Sequence, residues 1–361
     1  MSDIVTDKLG QRFDYVDIAK GMCILAVVWG HITGGVLTMM GSPVRMPFFF
    51  MVSGMLFRSS KYPTLSEFAI VRIKRLFKPY LIYSVVTWIV WATYNYVTHK
   101  GVDSYFDPLL QTILAQGSGQ FLKHNSPLWF IPCLFAVEVM YFYICKLKDY
   151  QNIICCFLLA GVSIVCEYVW SEDYLYLLPW NFDAALMALP FYSIGNMVIK
   201  HIGHKRIYDV IDHNRIASWI FVAIVSFILY LSTKVFWPIS MGHSFYGNHY
   251  IFYPRALVGC AALIVLSVLV SVYKNKVLLI LAKYWKWAGI NSFDIMATHV
   301  PIKGFLFALI AQFLNMYDKL TFVELFFIFA VVIFIDSYLV LFINKYIKPI
   351  DITALFKKHK K

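Results

Sequence analysis

Runs of apolar residues long enough to cross a bilayer fill this chain and leave few folds open to it. A hydrocarbon core of about 30 Å needs about 20 residues of helix. Ten such runs can be drawn, roughly at 18–40, 44–57, 79–98, 127–147, 151–169, 183–200, 216–231, 254–273, 288–314 and 321–345. Inside lipid every backbone N–H and C=O must be satisfied within the protein, which restricts spanning segments to helices or closed barrels. Runs of this length fit helices. Of the residues, 60% are hydrophobic and only 14% charged; mean hydropathy is +0.67. Length alone would allow two soluble domains, but the hydropathy overrules that prior. The expectation is an all-α integral membrane protein, one bundle of about ten transmembrane helices with no appended soluble domain. The first seventeen residues mix charges and lack the basic segment and cleavage site of a secretory signal, so the first run is expected to stay as an anchor.

The run 44–57 is short, and a re-entrant path there would invert everything after it. Charge tests this. With ten spans and both termini cytoplasmic, only Arg45, Lys100, Lys123, Lys234, Arg255, Lys303 and Lys319 fall outside, of 32 lysines and arginines. That asymmetry follows the positive-inside rule. The net charge of +12 is therefore membrane topology rather than a nucleic-acid surface. Seven cysteines form no CxxC pair and mostly fall inside apolar runs, which argues against a disulfide framework or a zinc site. The loops on the outer side are 99–126, 170–182, 232–253 and 315–320, with Gly117-Ser118-Gly119 in the first, His243 and His249 in the third, and Trp170, Trp180 and Trp237 at interfacial positions.

Lys20 and His31 stand eleven residues apart in the first run. At roughly 100° per residue they lie within about 20° of one helix face, and roughly 16 Å apart along its axis. Asp17 shares that stripe. Ionisable groups inside hydrocarbon are costly and mark functional sites. Counting from the drawn span ends brings His31, Glu138 and His299 to similar depths. A histidine can act as general base near neutral pH, and a carboxylate can fix its tautomer. The competing reading is an interhelical hydrogen-bond network that only holds the bundle.

Arg72 and Arg75, before Pro79-Tyr80, form a second constellation on the inner side. Guanidinium groups suit phosphate, although plain positive-inside charge explains them too. A basic inner surface below a buried histidine fits a ligand with a phosphate-rich head and a long arm, such as coenzyme A. Arg45 precedes Met46-Pro47-Phe48-Phe49-Phe50-Met51-Val52-Ser53-Gly54 and either snorkels or touches an acceptor sugar or phosphate. Trp129 is an interface anchor or a stacking platform. Asn291 and Ser292 open the ninth run, and Ser292, His299 and Lys303 share one helix face. Arg45, Trp129, Asn291 and Ser292 are the candidate substrate contacts. Asp183, Asp294 and Asp336 carry no assigned role.

Taken in order, Asp17-Ile18-Ala19-Lys20-Gly21 with His31, the MPFFFMVSG stretch, Arg72-x-x-Arg75 before Pro79-Tyr80, Leu128-Trp129-Phe130-Ile131, and Asn291-Ser292 followed by His299 resemble the landmarks of the membrane-bound acyltransferase-3 family. The resemblance implies a ten-helix bundle in the cytoplasmic membrane. It implies transfer of an acyl group, usually acetyl, from cytoplasmic acetyl-CoA to a hydroxyl of a carbohydrate or lipid-linked sugar on the other side, without a metal. It also implies that His31 is catalytic and that Lys20, Arg72 and Arg75 contact the coenzyme A phosphates or hold that site together. Lys20 departs from the arginine common at its position and loses bidentate geometry. A rival from another class is an exporter of a lipid-linked sugar or small solute, although the chain shows no repeat symmetry of the transporter kind. A polysaccharide polymerase would place its key cations on outer loops.

Overall fold

The computed structural model describes residues 13–99, 101–117, 122–169, 178–273, 275–314 and 320–347. Lys8, Lys100, Ser118, Gly119, Trp170, Lys319 and the C-terminal lysines, which entered the topology and loop expectations, lie outside the described residues.

The helices are α1 (Asp14–Ile32), α2 (Val36–Met55), α3 (Leu65–Arg72), α4 (Lys78–Val97), α5 (Asp107–Leu114), α6 (Phe130–Ile144), α7 (Asp149–Val169), α8 (Phe182–His201), α9 (Gly203–His213), α10 (Arg215–Ser232), α11 (His249–Val272), α12 (Lys276–Ile290), α13 (Ser292–Leu314) and α14 (Phe322–Phe342). Among the described residues, 10 segments are long and apolar enough to cross a membrane. They follow the ten apolar runs in order, so the chain is a multi-pass integral membrane protein.

Four boundaries differ from the sequence reading, each for a local reason. Helix α1 stops at Ile32 rather than near residue 40. Thr33 is extended, and Gly35 turns the chain at φ 85°, a conformation glycine adopts without a steric cost. The second span then starts at Val36 and runs 20 residues, with Pro43 and Pro47 inside it. It is long enough to cross, and the short run 44–57 is its second half. The third span continues back to Leu65, because a π-helical turn (Ile73–Phe77) joins α3 to α4. The ninth run breaks at Asn291 into α12, of 15 residues, and α13.

Lipid gives helices no hydrophobic reason to associate, so close packing must supply it. Two crossings show how. A Cβ at Gly54 would lie 1.9 Å from the Tyr192 carbonyl oxygen, and one at Gly195 would lie 2.0 Å from that of Met51, so α2 and α8 touch backbone to backbone. Gly21 meets Trp285 and Gly289 meets Asp17 in the same way, which seats α12 across the Asp14 end of α1. The span holding α6 has 83% of its residues buried, against 17% for α10. Helices α1, α6 and α8 thus form the centre, and α10 lies at the periphery.

Candidate active site

A cavity of about 200 Å³ opens between α1, α2, α3 with its π-turn, α6 and α13. From α1 it is lined by Lys20, Ile24, Val27 and His31, a single stripe of one helix as the spacing demands. Arg72 and Arg75 flank Lys20 from the α3 region, and Glu138, Trp129, Ser292, Met296 and Phe49 complete much of the wall. The site therefore has a basic end at Lys20 and an imidazole end at His31, separated by roughly 16 Å of helix with apolar walls between.

The π-turn matters at the basic end. A π-turn hydrogen-bonds i to i+5 and is frequent at functional sites. Here it carries Arg75 and follows directly on Arg72, so both guanidinium groups reach the same cavity while α4 continues outward. Arg72 Nε lies 3.1 Å from Glu138 Oε2, with both side chains nearly buried. Its guanidinium also stands 5.3 Å above the Phe68 ring. Lys20 Nζ donates to Asp17 Oδ1 at 3.2 Å.

At the other end His31 is exposed and faces His299, with ring centroids 5.1 Å apart. His299 is fully buried. Its Nδ1 lies 2.8 Å from the Ile295 carbonyl oxygen. A carbonyl only accepts, so Nδ1 carries a proton, and in the neutral imidazole Nε2 then holds a lone pair. Among the described residues that Nε2 has no partner. Lys303 Nζ donates to the His31 carbonyl at 3.1 Å. Arg45 does not snorkel to solvent; its guanidinium lies over Gly30, and Nη1 donates to the Ala26 carbonyl at 3.2 Å. His299, Lys303, Arg45 and His243 are the titratable groups acting on His31. His243 sits in a short 3₁₀ turn (Met241–His243), 2.8 Å from Ser240 Oγ, and burial pushes its imidazole below the ordinary range.

The grouping expected from depth counting is only half realised. His31 and His299 meet, but Glu138 pairs with Arg72 at the basic side instead of orienting His31. The cause is the early end of α1, which puts His31 next to the helix terminus rather than nine residues below it. Asn291 sits at the junction of α12 and α13. Its amide donates to the Trp287 carbonyl at 2.8 Å and accepts from Asn344 at 2.7 Å, and it does not line the cavity. Ser292 does line it, and so does Trp129. Gly117 and Gly242 both pack closely on that indole, where a Cβ would come within 2.8 and 2.6 Å of it. Asn181 ties both glycines together, accepting from Gly117 N at 2.7 Å and donating to the Gly242 carbonyl at 3.1 Å. Trp129 is thus a fixed wall where two long loops meet.

A model of the acyltransferase-3 family, described as an acyltransferase domain, matches residues 13–342. The chain belongs to this family. The match takes in every side chain of the cavity, so membership extends to a membrane acyltransferase function. No curated protein and no solved structure matches the chain.

Proposed function

We propose that the chain is an O-acetyltransferase of the cytoplasmic membrane that moves acetyl from acetyl-CoA to a hydroxyl of a carbohydrate or lipid-linked sugar. One observation carries this reading: a single apolar-walled cavity joins three cations, Lys20, Arg72 and Arg75, to His31. The cations suit the coenzyme A phosphates. The apolar stretch suits the pantetheine arm, and a rise of roughly 16 Å suits its length. The basic end then faces the cytoplasm, in keeping with the positive-inside charge of the chain.

In this mechanism His31 takes the proton of the acceptor hydroxyl as the oxygen attacks the thioester carbonyl. The tetrahedral adduct collapses with C–S cleavage, and the departing thiolate recovers the proton from His31. Atoms and charge balance with no further reactant. In this reading His299 Nε2 accepts an N–H from His31 during the reaction and leaves the other His31 nitrogen free as the base, a role supported by the 5.1 Å separation of the two rings. Family membership favours this enzyme over the exporter reading. The test is thioester consumption by purified protein with acetyl-CoA. Turnover or slow hydrolysis should disappear in His31→Ala while acetyl-CoA binding persists. Wild-type protein that fails to bind acetyl-CoA at all would overturn the reading.

A further inference from the structure

The cations that line the basic end of the cavity and those that stand behind its wall around His31 are held differently. At the basic end Lys20 pairs with Asp17 and Arg72 with Glu138. Around His31 the cations Arg45 and Lys303 donate to backbone carbonyls of α1, those of Ala26 and His31, and Lys303 also stands 6.0 Å from the centroid of the Phe307 ring. Among the described residues neither has a carboxylate partner. A carbonyl satisfies a hydrogen bond but leaves the charge uncompensated, and uncompensated charge at membrane depth is costly. The nearby loop adds no acid. Within it His243 bonds to Ser240, and Asp183 is engaged by the hydroxyl of Ser244.

Sequence statistics sharpen the contrast. Cations are scarce on the outer side of this chain, yet Arg45 and Lys303, from α2 and α13, converge on the same histidine. Elsewhere on the outer half, Arg255 of α11 is likewise buried, with Nε and Nη2 unpartnered among the described residues and its guanidinium 5.4 Å above the Phe236 ring. Among the described residues no carboxylate pairs with Arg45 or Lys303. A substrate that brings the missing anion accounts for both facts.

Resting on the acetyltransferase reading, we infer that the acceptor is an anionic saccharide, presenting a carboxylate or phosphate to Arg45 and Lys303 while its reacting hydroxyl lies at His31. The anion anchors the sugar by charge-assisted hydrogen bonds. Neutral sugars of the same shape lack that anchor.

The test uses three probes that differ at one carbon: methyl glucoside, methyl glucuronide and methyl glucoside 6-phosphate. Purified full-length protein is treated with diethyl pyrocarbonate, and modification of His31 is followed by peptide mass spectrometry. The glucuronide, the 6-phosphate or both should protect His31 at a concentration about tenfold or more below that needed with the neutral glucoside. Protection by one alone assigns the anion as carboxylate or phosphate. Lys303→Gln should erase the difference and Lys303→Arg should restore it; Arg45→Gln is the second variant. Equal protection by all three probes, protection by none, or an undiminished preference in Lys303→Gln would overturn the inference. Acetyl-CoA binding is measured on the same samples. Its absence in wild type strikes the acetyltransferase reading, whereas a lost anion preference with intact acetyl-CoA binding strikes only this inference.

Discussion

The imidazoles of His31 on α1 and His299 on α13 face each other with centroids 5.1 Å apart, and the inner ring is fixed through Nδ1 by the Ile295 carbonyl. In the proposed mechanism His299 is the acceptor that orients His31, the place a carboxylate takes in other base-orienting pairs. His31→Ala should lower kcat by about 10²–10⁴-fold, the range for losing a positioned general base. His299→Ala should lower kcat less and leave KM for acetyl-CoA near its wild-type value. It should also move the pH–rate profile, because the base loses its orienting acceptor. A His299→Ala enzyme with an unchanged profile and a raised KM would make His299 a packing residue.

Arg72 and Glu138 stand 3.1 Å apart across α3 and α6, nearly buried. Removing one member of a buried pair strands the other charge and costs about 3–5 kcal/mol. Glu138→Ala should therefore lower thermal stability in detergent more than the Glu138→Ala, Arg72→Ala double variant does. Arg72→Ala should also raise KM for acetyl-CoA. The comparison to make is Tm for the two single variants and the double. A double variant less stable than both singles would show that the pair is not the unit of stability.

Much of this was open to sequence reasoning, and what escaped it has physical causes. The ten spans and the Lys20–His31 stripe follow from hydropathy and helical period, which are local. The face shared by Ser292, His299 and Lys303 holds on α13 for the same reason. The end of α1 could have been placed from Gly34-Gly35, a dipeptide that breaks helices; hydropathy alone ran past it. That one shift removed the expected meeting of Glu138 with His31. The π-turn at Ile73–Phe77 leaves no pattern in composition. The packing of Gly117 and Gly242 on Trp129 depends on where long loops return, which no spacing rule reports.

The glycine crossings give a sharp pair of substitutions. At Gly289 a Cβ would lie 1.7 Å from the Asp17 carbonyl oxygen, whereas at Gly304 it would meet nothing within 4 Å. Gly289→Ala should force α12 away from α1, lower Tm by several degrees and impair folding. Gly304→Ala, also within a helix, should be neutral or gain up to about 1 kcal/mol from helix propensity. Thermal melts of the two variants decide it. A Gly289→Ala protein as stable as wild type would mean the crossing is looser than described.

Two histidines outside the spans predict the acid side of stability. Burial lowers His124 and His204 from 6.5 to about 4. His124 is buried with neither ring nitrogen bonded among the described residues. His204 Nδ1 meets the Tyr15 hydroxyl at 2.8 Å, and its ring stacks on Phe13. With the folded value below the unfolded one, the unfolded chain takes up protons first as pH falls. Their contribution is complete above about pH 6.5, declines on acidification, and is spent near pH 4, on the order of 1–3 kcal/mol for each group. Tm should therefore drop between pH 7 and pH 4.5. His124→Leu, which gives up no hydrogen bond, should flatten that slope, and His204→Leu should flatten it while lowering Tm at pH 7 through the lost Tyr15 contact. An unchanged slope in His124→Leu would assign the acid sensitivity to other groups.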